Sequence, residues 1–378
     1  MRIPLFLWAF LAAGCASDET ASPVSEVLFV PTGFPVPRVP EDNVPTEAKR
    51  ELGRHLFYDT KLSGNGAQSC ASCHHQELAF TDGLARTVGS TGETHPRNSP
   101  TLTNVAYNAT LTWANPLLTD LERQILTPIF GDAPVELGVS ARADEVLARF
   151  ANDERYRAWF EEAFPDDANP VNWDNVVRAL ATFTRALNSG NSRFDKFVYG
   201  DELNALSASE RRGMELFFSE TLECHHCHGG FNFSDSSTHA GTSFGASRFH
   251  NTGLYNLDGN GAYPADNTGI FELTGQPEDM GRFRPPTLRN VAVTAPYMHD
   301  GSIETLEDVI RTYEAGGRLI EEGPLAGDGR RSPLKSGFVV GFTLTDEERT
   351  DLVHFLESLT DESFLTDPRL SDPFAESP

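Results

Sequence analysis

Two stretches, Cys70-Ala-Ser-Cys73-His74 and Cys224-His-His-Cys227-His228, constrain this chain more than any others. Each has the spacing Cys-x-x-Cys-His, at which two thiols add to the vinyl groups of a porphyrin and the next imidazole meets the iron. Paired cysteines also serve four-thiolate zinc sites and dithiol redox sites. Zinc pairs lie tens of residues apart in one small module, whereas these begin at positions 70 and 224. Neither alternative calls for a histidine directly after the second cysteine. The spacing therefore predicts two covalent c-type haems, and with them electron transfer, oxidative chemistry or both.

The rest of the cysteine count agrees. Arg2 precedes an apolar run over residues 3–13 that ends in Leu11-Ala-Ala-Gly14-Cys15. Small residues just before a cysteine resemble a bacterial lipoprotein signal, with a cleaved secretory signal as the alternative. On the first reading Cys15 carries the lipid, residues 1–15 are the signal, and the protein is periplasmic, held at a membrane by that anchor only. Of five cysteines, four then attach haem and none remains for a disulfide. A formal charge of −25 argues against nucleic acid or anionic membrane surfaces as partners.

The expected fold is mainly α: two cytochrome c-like helical domains, each around a covalent haem, with long irregular loops. Residues 16–43, rich in Ser, Pro, Val and Glu, suggest a tether. The N-terminal domain is expected over 44–200, the C-terminal domain over 201–365, and a frayed tail over 366–378. An internal repeat supports the pairing. Gly53-x-x-Leu56-Phe57 precedes Cys70 as Gly213-x-x-Leu216-Phe217 precedes Cys224, and Phe80-Thr-Asp82 is echoed by Phe233-Ser-Asp235. Thr46 is expected to cap a helix through Phe57. Apolar residues at 176, 177, 180, 183 and 187 mark one face of another. Ser207 to Glu210 forms a capping box, Ser302 is expected to cap Glu304 to Tyr313, Gly316-Gly317 stops that helix, and Thr345 opens the last. Residues 234–282 form a long Gly/Asn/Asp/Ser-rich loop, in which Asp258-Gly-Asn-Gly261 is expected to be a plain turn.

Together with Arg97-Asn98-Ser-Pro-Thr-Leu102, Pro134-Val-Glu136 and Leu288-Arg-Asn-Val-Ala-Val-Thr-Ala-Pro-Tyr-Met-His-Asp-Gly301, these motifs resemble the bacterial di-haem cytochrome c peroxidase/MauG family from about residue 45 to 362. Trp113-Ala-Asn-Pro, residues 129–138 and Phe249-His-Asn-Thr-Gly-Leu-Tyr255 are most similar to its MbnH branch, whose partner is the copper-binding protein MbnP. The resemblance implies that the haem on His74 reacts with hydrogen peroxide. Glu136 would be the distal acid that moves the peroxide proton, with Gln124 beside it. The haem on His228 would take Tyr313 as its second ligand, with Met298 as the competitor. A phenolate there stabilises high-valent iron, whereas a thioether raises the potential. Trp113 would relay charge between the haems, allowing a bis-Fe(IV)-type state. A calcium ion between the domains would be held by Asn98 and the carbonyls of Thr294 and Pro296, oxygen donors suited to a hard cation. His75, His225 and His226 are expected at the surface or beside the haem ligands, and His95 and His250 within reach of a haem edge.

Three functions follow. One is MauG/MbnH-like oxidation of a protein partner, such as an MbnP-like copper protein. The second is a cytochrome c peroxidase that removes hydrogen peroxide with electrons from a small cytochrome or cupredoxin. The third is a di-haem electron carrier without catalysis, against which Glu136 speaks. Tyr313 or methionine as the ligand separates the first two.

Overall fold

Each main helix but one starts where a short polar side chain can hold an otherwise free backbone amide. Thr46 accepts from Lys49 N and opens α1 (Glu47–Tyr58). Asp120 does the same for α2 (Leu121–Phe130). The uncapped exception, α3 (Ala143–Ala151), leads into α4 (Glu154–Ala163), which Asp153 caps. Asn172 caps α5 (Trp173–Arg185), and Ser207 with Glu210 forms a capping box at α6 (Ala208–Phe217). Thr305 caps α7 (Leu306–Glu314), and Thr345 with Glu348 forms a second box at α8 (Asp346–Glu357). The computed structural model describes residues 23–243 and 248–375. Among these, the only sheet is a two-stranded antiparallel pair, Leu319–Ile320 with Gly327–Asp328.

The repeat in sequence is a repeated helix crossing. A Cβ on Gly53 would stand 2.0 Å from the Ala179 carbonyl oxygen, and a Cβ on Gly213 would stand 2.0 Å from that of Asp351. Only glycine lets α1 touch the backbone of α5, and α6 that of α8. Above each contact a phenylalanine pair closes the crossing: Phe57 with Phe183 and Phe217 with Phe355, both at 5.2 Å between ring centroids. One apolar core forms around Leu52, Phe57, Phe150, Phe160 and Phe183. A second forms around Phe217, Phe233, Leu352 and Phe355. A third, containing Trp113, Tyr255, Tyr263 and Phe283, joins segments from both halves of the chain.

Three expectations need correction. The described part of the proposed tether, residues 23–43, is docked: Leu28 and Phe34 are buried, Arg50 donates to Val27 O, and the Arg289 guanidinium lies 4.5 Å from the Phe34 ring centroid. A few large apolar side chains in a polar-looking stretch are enough to hold it. The tail does not fray through residue 375. Leu370 is buried, Tyr58 donates to Leu370 O, and Gln76 to Asp367 O, so it returns to the first core. Helix α7 starts two residues later than expected. Ser302 N is taken by the Asp300 carboxylate and Ile303 pairs with Tyr297, so the first free cap is Thr305. The signal with Cys15 lies outside the described residues, as do 16–22, 244–247 and 376–378. The Asp258 carboxylate accepts from Asn260 N and Ala262 N, a plain turn as expected.

Candidate functional site

Both Cys-x-x-Cys-His motifs are single turns that end on a clamped imidazole. Cys70–Ser72 is one 3-10 turn, held by reciprocal hydrogen bonds between Ser69 and Ser72, and Cys224–Cys227 is one α turn. His74 Nδ1 lies 2.7 Å from Phe80 O, and His228 Nδ1 lies 3.2 Å from Phe233 O. An Nδ1–H donated to a carbonyl fixes the tautomer and leaves Nε2 as the lone-pair donor, the state an iron ligand needs. The clamp needs strained backbone: Phe80 and Phe233 sit at φ +61° and +48°, in the left-handed region that side chains avoid. This explains the Phe-Thr/Ser-Asp echo in the sequence.

Cys70, Cys73 and Cys224 do not suit dithiol redox chemistry, which needs a depressed pKa. Burial pushes Cys70, Cys73 and Cys224 up to about 12. Glu136 is close enough to raise both Cys70 and Cys73 further. Burial pushes its own carboxyl up to about 7. Its loop is fixed by Ser90 N donating to Glu136 O. Gln124, on α2, has a buried Oε1 without a hydrogen-bond partner, and no hydrogen bond joins it to Glu136 among the described residues.

At the second motif, Cys224, Cys227 and His228 open onto a largely apolar cavity. Tyr313, Met298 and Trp113 share its walls. Burial, then the thiols of Cys227 and Cys224, push the Tyr313 phenol above its ordinary range. The phenol therefore stands close to the pair that would carry the macrocycle. Thr81, from the turn after His74, reaches the same cavity. Trp113 lies where the two halves meet: its Nε1 donates to Asn98 O at 2.8 Å, and Arg284 N donates to its carbonyl.

Whether the cavity fits a haem is tested by its charge. Arg284 is buried on the cavity wall with no carboxylate partner among the described residues. Its side chain donates only to the carbonyls of Thr112 and Pro285, and burial lowers its pKa to about 10. His299 Nε2 is buried without a partner and its ring stacks on Phe283 at 3.6 Å. Burial drives its pKa down to about 3. An unpaired buried guanidinium needs an anion, and an apolar slot with a cation beside it matches a macrocycle bearing propionates. His250 also lines this cavity, 2.9 Å from Asp235. Burial lowers its pKa, but Asp235 and Cys227 more than offset that and hold it at about 9. His95 Nε2 is buried and unpartnered, away from this cavity. Sequence reasoning missed Arg284; its one signal was a charge set between Phe283 and Pro285-Pro286.

Asn98, Thr294 and Pro296 border the same cavity. The Asn98 amide nitrogen donates to Leu84 O at 2.7 Å. Its Oδ1 and the carbonyls of Thr294 and Pro296 accept no hydrogen bond from any described residue.

A family profile for di-haem cytochrome c peroxidases matches residues 47–203. A cytochrome c peroxidase of Denitromonas iodatirespirans is 34% identical, spanning 96% of this chain and 93% of that relative. The chain belongs to the di-haem cytochrome c peroxidase/MauG family. It is accordingly a di-haem oxidoreductase, and the family implies two c-type haems, hydrogen peroxide and a protein partner or electron donor. The methylamine utilization protein MauG of Methylorubrum extorquens is also 34% identical, over 96% of this chain and 92% of its own. A crystal structure of a MauG-like protein associated with microbial copper homeostasis matches at a TM-score of 0.90 and 52% identity, over 92% of this chain and 99% of that one. The helix-rich fold with little sheet agrees with that relationship.

Proposed function

We propose that this protein uses hydrogen peroxide to oxidise a side chain of a partner protein in the manner of MauG. The observation that carries this reading is the Tyr313 phenol, buried on the cavity wall beside Cys224, Cys227 and His228. Its two haem-bearing halves, 44–200 and 201–365, would each enclose one covalent macrocycle, and two separate helix crossings support that division. When bound, the haems supply the chemistry with peroxide and the storage of oxidising equivalents.

The chain's own residues do the rest. Glu136, with a carboxyl near pH 7, takes a proton from the near peroxide oxygen and returns it to the far one, the task of a general acid–base group. Peroxide gains two electrons and two protons and leaves as two waters, and the partner residue loses the two electrons. Tyr313 closes the second site, and Trp113, bridging the halves through Asn98 and Arg284, carries charge between them. Gln124 orients the peroxide beside Glu136. Asn98 Oδ1 and the carbonyls of Thr294 and Pro296 would hold a calcium ion, whose preference for several oxygens matches three acceptors without donors among the described residues. The protein works in the periplasm, anchored through lipidated Cys15. Its partner is a copper-binding protein of the MbnP kind, a choice supported by the 52% identity to a MauG-like protein associated with copper homeostasis.

A peroxide-detoxifying cytochrome c peroxidase is the second reading, favoured by Met298 on the same cavity wall and by relatives of that name. Adding peroxide to the fully oxidised holoprotein separates the two. An immediate, persistent spectral change in both haems supports the MauG-like reading; silence until one haem is reduced supports the other.

A further inference from the structure

The two attachment turns differ in what fills them. The first holds Ala71 and Ser72 between its cysteines; the second holds His225 and His226. Haem attachment asks nothing of either position, so two imidazoles there need another account. Their rings lie side by side, 4.3 Å between centroids. The His226 ring is stacked on Phe338 at 4.6 Å and 9°, which fixes its plane. Glu220 Oε1 is 3.5 Å from His225 Nε2, and Glu223 Oε2 is 2.6 Å from His226 Nδ1. One donor atom from each of Glu220, His225 and His226 lies within 4.8 Å of the other two. His226 Nδ1 is thus engaged by Glu223, whereas His225 Nδ1 is a buried atom without a hydrogen-bond partner among the described residues. A surface histidine with nothing to do would turn that nitrogen to water.

We propose that Glu220, His225 and His226 form a binding site for a divalent transition-metal ion, best filled by Cu²⁺, on the rim of the second haem motif. Two imidazoles with a carboxylate are a borderline donor set that favours copper and zinc over calcium or magnesium, and copper stands highest in the affinity order. Cis donors at roughly 2.0 Å on a tetragonal Cu²⁺ stand about 2.8 Å apart, closer than the 3.5 Å that separates Glu220 Oε1 from His225 Nε2. The imidazoles are held by the turn and by Phe338, while the Glu220 side chain is 81% exposed and free to swing in. Glu223 supplies a further carboxylate oxygen beside His226. The site is separate from the peroxide chemistry, so its test does not depend on that reading.

The test is equilibrium dialysis of the full-length, haem-loaded protein against Cu²⁺ alone, with metal content counted against two irons per chain and copper-edge X-ray absorption to count imidazoles. One Cu²⁺ per chain with two imidazole ligands is expected. His226→Gln should abolish stoichiometric uptake, and Glu220→Gln, outside the attachment motif, should weaken it at least tenfold with the haem spectrum unchanged. Absence of stoichiometric copper, or uptake that is the same in Glu220→Gln or survives His226→Gln, overturns the site.

Discussion

The two halves of the molecule repeat one cradle and place different groups in it. In both, a glycine lets two helices meet at backbone distance, a phenylalanine pair caps the crossing, and a left-handed phenylalanine turns its carbonyl onto the motif histidine. The first half then brings a carboxyl, Glu136, near Cys70 and Cys73. The second brings a phenol, Tyr313, near Cys224 and Cys227, together with the uncompensated Arg284. A carboxyl pushed to about 7 exchanges protons at neutral pH. A phenol pushed above its ordinary range keeps its proton there. The repeat keeps the clamp on each motif histidine, and the two halves differ in the group placed beside the paired cysteines.

The largest effect should come from removing the group that distinguishes the first half. Glu136→Gln is expected to lower kcat/KM for peroxide by about 10²- to 10⁴-fold, the usual worth of a proton-transferring side chain, with both haems still attached by mass. A loss within threefold would move proton transfer elsewhere. Next, the shared cradle can be broken on either side. Gly53→Ala and Gly213→Ala each force a Cβ into a backbone carbonyl and should each cost about 1–3 kcal/mol in denaturant unfolding. A neutral result at one position alone would show that the crossings are not equivalent.

The pH dependence sharpens the contrast further. On the proposed role of ionised Glu136 as proton acceptor, the peroxide rate should rise as pH passes through about 7 and level off above it, roughly tenfold per unit on the acid side. Glu136→Gln should flatten that limb. The smallest effect belongs to the second half. Arg284→Gln removes a buried positive charge, which should lower the reduction potential of the haem on His228 by about 60 mV or less, a tenfold change for a one-electron couple. Redox titration should find the haem on His74 unmoved.

Much of this was legible because it is local. A Cys-x-x-Cys-His turn, an N-cap such as Thr46 or Thr345, and a glycine four residues before a phenylalanine act through neighbours a few residues away. The packing of residues 23–43 and of the tail was not legible. Leu28, Phe34 and Leu370 look like stray apolar residues until distant segments cover them. The start of α7 was misplaced for a related reason: Ser302 is a good cap in isolation, but Asp300 and the Tyr297–Ile303 pairing hold its backbone in a turn.

The sequence by itself determined the helical class, the family and the two Cys-x-x-Cys-His turns, since each is written in short spacings that backbone geometry reads directly. Only the tertiary structure decided which charges are left without partners. Arg284 is an ordinary arginine in the chain; it becomes a buried cation facing the cavity because the fold leaves it only carbonyls for company. Electrostatic character depends on desolvation, and desolvation depends on what the whole chain packs around a group.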